Sequence, residues 1–274
     1  MLFIVKTLIK YLLIPIGAIY SALFSPKDEI LILMYHRVDS SVKKELAVSP
    51  KNFKWHMKYL YDKGYSVITM DEAYAMISKN NIKGRHIVIT FDDGYKDFYT
   101  NAYPILKSYN FPSIMYLCPG YVGTTMKYWW DRDEKEAPIM DWEDINKLNK
   151  EGLVEFGSHT IEHMDMDKLS PKEIKRELIV SRGILENKLG KSVKHFSYPR
   201  GIYSRAGQKI LKQYYDTGVL ISNGRRVDTG FSMDHVYTLK RIPVLRSDGR
   251  LLFVGRIKGW LVLEELIRKK LSKD

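Results

Sequence analysis

The chain is poor in cysteine, short of acidic residues relative to basic ones, and without the motifs that hold nucleotides or nucleic acids. Cys118 is the single cysteine among 274 residues, so no internal disulfide can form and no metal site can be built from thiolates. It lies in the apolar run 114–118 with no base beside it in sequence, which reads as a small core residue rather than a nucleophile. The lack of disulfides leaves the compartment open. No Walker-type phosphate loop and no zinc-finger spacing occurs, which argues against nucleotide and nucleic-acid partners. No internal repeat or low-complexity tract is present, and this removes solenoids and disordered linkers. Asp and Glu number 32 against 44 Lys and Arg, giving a formal charge of +12 that attracts anionic partners such as lipid headgroups or acidic glycans.

What is present begins with an apolar start. Residues 1–24 carry only Lys6 and Lys10 as charges. The uninterrupted stretch 11–24 is short of the ~20 residues a membrane span needs, and Pro15 and Gly17 interrupt it. Residues 1–28 therefore read as an apolar N-terminal helix that is signal-like or membrane-associated, through an uncleaved anchor or a shallowly inserted helix. The alternative is a helix packed on the domain's own core. If the segment spans, Lys6 and Lys10 favour a cytoplasmic start and an extracytoplasmic catalytic domain at a bacterial membrane.

From residue 29, strand-like runs at 30–35, 66–69, 87–91, 113–118, 153–156, 193–198, 217–221 and 238–242 alternate with amphipathic segments at 50–62, 71–78, 99–109, 142–150, 171–189 and 204–214. Repeated βα units of this kind predict an α/β fold, a (β/α) barrel with seven or eight mainly parallel strands over residues 29–248. Residues 249–274 mix apolar and basic groups. Read as a helix, Trp260, Leu263, Ile267 and Leu271 share one face and Arg268, Lys269 and Lys270 crowd the end, a basic amphipathic helix for the barrel wall or an anionic membrane surface.

Two strand ends carry chemistry. The run 87–91 stops at Asp92-Asp93-Gly94, where neighbouring carboxylates repel unless a cation or a proton intervenes. After 153–156 comes Gly157-Ser158-His159-Thr160-Ile161-Glu162-His163, whose histidines, four apart, share one side if the segment makes a helical turn. In a barrel both stretches lie at the C-terminal ends of the strands, where active sites form. One aspartate with two imidazoles makes a three-ligand metal set that leaves a position open for water, and the second aspartate is then free to act as a base. That constellation suits amide or ester hydrolysis. His36, closing the first strand run, is a candidate to line the same face, whereas His56, His86 and His195 read as structural. The aromatic stretch Tyr128-Trp129-Trp130-Asp131 offers either stacking faces for sugar rings or a packed cover for the mouth.

Thr90-Phe91-Asp92-Asp93-Gly94, Ser158-His159-Thr160-x-x-His163 and Phe196-Ser197-Tyr198-Pro199-Arg200-Gly201 resemble, in order, the three leading motifs of the NodB-like polysaccharide deacetylases, carbohydrate esterase family 4. The segments 33–38 and 241–244 are similar to its biofilm-polysaccharide branch. The resemblance implies a distorted barrel, one divalent metal, usually zinc with nickel, cobalt or iron as alternatives, Asp93, His159 and His163 as its ligands, and Asp92 as base. It places an oxyanion donor at the Tyr198 backbone N–H. It also implies hydrolysis of N-acetyl groups on an N-acetylglucosamine-containing polysaccharide or lipid-linked saccharide. Two departures stand out. Ser197 occupies the position where many members carry an arginine that orients the base, so Arg200 or Arg241 must supply the charge if anything does. The family's late Leu-x-Leu-x-His motif has no counterpart, since His235 sits in the unrelated setting Met233-Asp234-His235-Val236-Tyr237. A deacylase of another amide or ester, and a catalytically weak glycan-binding membrane protein, are the competing readings.

Overall fold

Apolar runs without polar alternation make strands that are covered on both faces, and the barrel is built from such runs. The computed structural model describes residues 2–221, 227–228 and 232–261. In chain order the strands are β1 (Glu29–Tyr35), β2 (Arg37–Val38), β3 (Ala47–Val48), β4 (Ser66–Val67), β5 (Arg85–Asp92), β6 (Ser113–Leu117), β7 (Val154–Ser158), β8 (His195–Ser197), β9 (Thr217–Ile221), β10 (Val227–Asp228) and β11 (Leu239–Pro243). Seven of them, β1, β5, β6, β7, β8, β9 and β11, pair in parallel around a closed ring, because β1 bonds to β5 on one side and β11 on the other. The lower of the two expected strand numbers therefore holds. The run at 66–69 yields β4, which is no stave of the ring. It pairs with the first half of β5, on the edge whose second half holds β6. β10 adds antiparallel to the start of β1.

The helices are α1 (Leu2–Phe24), α2 (Pro50–Asp62), α3 (Met70–Ser78), α4 (Tyr103–Ser108), α5 (Trp142–Glu151), α6 (Pro171–Leu189), α7 (Arg205–Leu211) and α8 (Gly249–Lys258). Capping explains several starts: Thr69, Asp141 and Ser170 each close a box with the acidic residue three positions on. The helix expected over 99–109 differs. It opens as a π-helical turn, Phe98–Ala102, and only then becomes α4. Pro104 has no N–H for the Thr100 carbonyl, and the Tyr103 N–H donates to Phe98 instead, which widens the turn.

The apolar start forms one helix, and its described half docks on α8. Lys10 reaches Asp248 at 3.2 Å, and the same carboxylate accepts from Arg256 Nε at 2.6 Å and Nη2 at 2.9 Å and from the Leu245 N–H at 2.8 Å. All three charged groups are buried. Burial alone would raise the Asp248 carboxyl, but Arg256 foremost, then Lys10, holds it below the usual range. Gly17 meets the Trp260 backbone so closely that a Cβ would lie 1.8 Å from the Trp260 oxygen. Lys10 is thus a docking residue whose charge is paired within the domain. At the other end of the chain, α8 stops at Gly259, which adopts a left-handed conformation (φ 75°). The expected face through 263, 267 and 271 and the basic cluster 268–270 fall outside the described residues.

His56 on α2 is as structural as expected. Its ring stacks on Phe253 of α8 (centroids 3.8 Å, 8°), and its Nδ1 lies 3.2 Å from the Tyr35 hydroxyl. Burial lowers its pKa to about 3. The unfolded chain protonates this group near pH 6.5 and the folded chain only far below, so its contribution to stability is complete above ~pH 6.5 and is lost as the pH falls toward 3, by about 5 kcal/mol in all. A His56→Gln variant is expected to show a flatter acid limb between those pH values in urea denaturation. An unchanged limb would remove the imidazole from the account.

Candidate active site

The C-terminal ends of the ring strands surround a cavity of about 330 Å³, at the lower end of the ~300–1,000 Å³ common for small-molecule sites. Asp92, Asp93, His159, His163, His36 and Arg200 all border it. Asp92 is the last residue of β5, and Asp93 follows in a left-handed conformation (φ 74°) that swings the second carboxylate away from the strand. A non-glycine residue held there is sustained by its surroundings, which include the Tyr128 hydroxyl donating to the Asp93 carbonyl at 2.9 Å.

His159 and His163 come together as expected, though not by a helical turn. The segment is an irregular turn with Thr160 (φ 65°) and His163 (φ 59°) both left-handed, and it brings the rings to 4.7 Å, nearly perpendicular. Their Nε2 atoms lie 3.6 and 3.7 Å from the same oxygen, Asp93 Oδ1, which is buried and has no hydrogen-bond partner. His159 Nδ1 sits 2.7 Å from the Ser197 carbonyl and donates to it, so its Nε2 lone pair faces Asp93. An orphaned carboxylate oxygen facing two imidazole nitrogens, with Asp93 and His159 buried and His163 partly so, is what a divalent cation resolves. Charge preferences agree: burial first, then the Asp92 charge, raises Asp93 well above the carboxylate range, while burial lowers His159 to about 4 and His163 to about 3.

Asp92 is held quite differently. Arg241, on β11 and fully buried, grips it with two parallel bonds of 2.6 Å, Nη1 to Oδ1 and Nη2 to Oδ2. The same guanidinium donates to Ser197 Oγ at 2.9 Å and Thr90 Oγ1 at 3.1 Å. Burial pushes the Asp92 carboxyl up, but Arg241, then His159, outweighs it and holds the group well below its ordinary range. Of the two arginines weighed from sequence, Arg241 supplies the charge. Arg200 instead donates to Asp165 at 2.9 Å and is half exposed. His36 stands on the other flank, its Nε2 4.0 Å from Asp92 Oδ2 and its buried Nδ1 without a partner; burial lowers it to about 4.

One expectation needs correcting. The Tyr198 N–H is spent on the Val219 carbonyl at 3.0 Å, in register with the β8–β9 pairing, and Tyr198 does not line the cavity, so it cannot present a donor there. Arg200, two residues on in the same turn and left-handed (φ 55°), is the residue that does border it. His235, as its unrelated sequence setting implies, is exposed and lines a different hollow with Tyr203, Lys212 and Lys240. The aromatic stretch divides its roles: Tyr128 and Trp130 stack at 4.6 Å and 4°, Trp130 packs edge-on to His163, and Trp129 is left exposed. Sequence reading missed the wall beneath. Buried Asp131 accepts from Lys44 at 2.7 Å and from the Tyr95 hydroxyl, to which Trp130 Nε1 donates at 2.9 Å. No motif marks Lys44, which comes from the loop between β2 and β3. Asp71, Glu155 and His195 form a second possible ligand group, but Glu155 accepts from the Met70 and Asp71 N–H groups and Asp71 pairs with Lys194, so they read as a helix-start clasp.

A family model described as polysaccharide deacetylase matches residues 79–218, the stretch that holds both aspartates, both histidines and Ser197. The chain belongs to the polysaccharide deacetylase family. This deacetylase is 31% identical over 216 residues to the YxkH protein of Bacillus subtilis, named as a polysaccharide deacetylase, with 78% of this chain and 70% of that one covered. It is 27% identical over 209 residues to a poly-beta-1,6-N-acetyl-D-glucosamine N-deacetylase of Staphylococcus aureus, covering 68% and 70%. Among solved structures, the Streptococcus pyogenes deacetylase PplD in complex with acetate shares the fold with a TM-score of 0.72 at 24% identity, covering 85% of this chain and 99% of that one. The deacetylase is accordingly a hydrolase.

Proposed function

We propose that this deacetylase removes N-acetyl groups from an N-acetylglucosamine-containing polysaccharide or lipid-linked saccharide, releasing acetate, with one divalent metal held by Asp93, His159 and His163. The observation that carries the reading is the contrast between two adjacent carboxylates. Asp93 faces two imidazoles with an orphaned oxygen, while Asp92 is clamped in its ionised form by Arg241. The similarity to a poly-beta-1,6-N-acetyl-D-glucosamine N-deacetylase supports the sugar amide as substrate.

Asp93, His159 and His163 would hold a divalent ion, zinc being the best match to such a set, and it would supply Lewis acidity for the acyl carbonyl and for a water. The chain's own residues do the rest. Asp92 accepts the water proton, and Arg241 keeps the carboxylate charged and aimed until then. His159 is fixed in one tautomer by the Ser197 carbonyl. His36 faces the cavity beside Asp92, within reach of the acetamide or the departing nitrogen. Exposed Trp129 at the rim offers a flat apolar face to a neighbouring sugar ring.

Metal content and acetate release from acetylated glucosamine oligomers, compared between wild type and Asp93→Ala, test the reading. The wild type is expected to hold about one equivalent of metal and to turn over; the variant is expected to lose both, by about 100-fold or more. An Asp93→Ala protein that keeps its metal and full turnover overturns the assignment. Peptidoglycan, xylan and glucosamine polymers assayed side by side separate a sugar amidase from an ester deacylase. A metal-loaded wild type inert on all of them points to glycan binding alone.

A further inference from the structure

A helix that packs one face on a soluble domain ordinarily carries charges on the other. The described half of α1 does not. Its inward positions are 10, 13, 14, 17, 18 and 21, and its outward stripe, which includes Leu12, Ile16, Ile19, Tyr20, Leu23 and Phe24, contains no charged residue. Leu12 and Leu23 are 75% and 71% exposed, and Ile19 and Phe24 each 66%. We infer that this stripe rests on an anionic lipid surface, with α1 lying along the surface and the barrel held against it through α8.

Three observations select the occupant. The stripe, about 20 Å long and one helix wide, offers on the order of 250 Å², well below the ~800 Å² per partner of a stable dimer, so a second copy is a poor fit. A second copy would also bring two charges of +12 together, whereas an anionic bilayer complements them, and exposed Lys27 lies just beyond the end of the helix. Finally, no helix among the described residues is long and apolar enough to cross a membrane, and the Lys10–Asp248 pair with the Gly17–Trp260 contact keeps one face of α1 on protein, so the helix cannot be surrounded by lipid.

The clasp also fixes where the cavity lies. Arg246 and Ser247, next to Asp248, bond to the Glu45 carbonyl (2.7 Å) and carboxylate (2.8 Å), and Glu45 lines the cavity. The Lys10 end of the stripe is therefore at the cavity rim, and the far end, where Ser21 donates to the Lys258 carbonyl, is at the foot of α8. A lipid-bound α1 lays the barrel on its flank with its mouth opening along the membrane. Resting on the deacetylase reading above, this narrows the substrate to saccharide presented at the lipid surface.

The test uses the full chain and vesicles of phosphatidylcholine containing about a quarter phosphatidylglycerol. Wild type is expected to sediment with them, and the combined variant L12S/I16S/I19S/L23S to lose at least about tenfold in partition with its melting temperature kept, because all four side chains face solvent. On a soluble acetylated oligosaccharide the two proteins are expected to be equally active. On the same saccharide anchored to vesicle lipid, the variant is expected to fall at least about tenfold behind. Failure of the wild type to sediment overturns the inference, as does a mass in light scattering that shows the stripe buried in a dimer. Vesicle binding without turnover of either substrate leaves the inference standing and overturns the deacetylase reading instead.

Discussion

An Asp92→Asn variant is expected to keep its metal and lose acetate release by a factor of about 10³, within the 10²–10⁴ range of a single general base. The amide matches the carboxylate in shape but cannot take a proton, and Asp93, His159 and His163 are left untouched. A second effect comes from the partner. Arg241 is fully buried and bonded twice to Asp92, so the substitution strands a cation in the barrel lumen, at a cost of about 3 kcal/mol or more in stability. Metal content, acetate release and urea denaturation read the three consequences separately. Loss of metal by this variant would mean that Asp92, not Asp93, faces the ion.

Arg241→Met is expected to be as damaging, for the complementary reason. It removes the guanidinium and leaves the buried Asp92 carboxylate unpaired, which destabilises the protein by about 3–5 kcal/mol. With Arg241 gone, burial dominates and the Asp92 pKa rises, so the acid limb of the pH–activity profile is expected to move upward and part of the lost activity to return at higher pH. A purely structural arginine would lower activity without moving that limb. Arg241→Lys keeps the charge but not the fork and is expected to lie between. The double variant Asp92→Asn/Arg241→Met removes both charges together and is expected to be more stable than either single variant, although inactive. A double variant no more stable than the sum of the singles would show that the two side chains are not coupled.

The ring strands were legible because a strand covered on both faces is mostly apolar, as 30–35 and 87–91 are, with Thr90 the exception. The short strands β2, β3 and β10 were not, since two residues carry no periodicity. Which side chains gather at the site was legible for the motif residues Asp92, Asp93, His159 and His163. How they gather was not: the four-residue spacing of the histidines suggested a helical turn, whereas left-handed backbone at Thr160 and His163 does the work. Arg241 could be named only as one of two candidates, because its reach to Asp92 depends on ring closure, and closure is a fact of pairing that no local pattern encodes. Tyr198 failed for the same reason. Its N–H looked available in the motif and is taken by a neighbouring strand.

The counter-cation of Asp92 arrives on β11, the last of the described strands in chain order. A nascent chain that has left the ribosome as far as residue 238 carries all three signature motifs, yet it has neither the final stave nor the guanidinium that keeps the base charged. Charging of the base thus waits on β11, and a chain cut between residues 202 and 239 is expected to keep all three motifs and release no acetate.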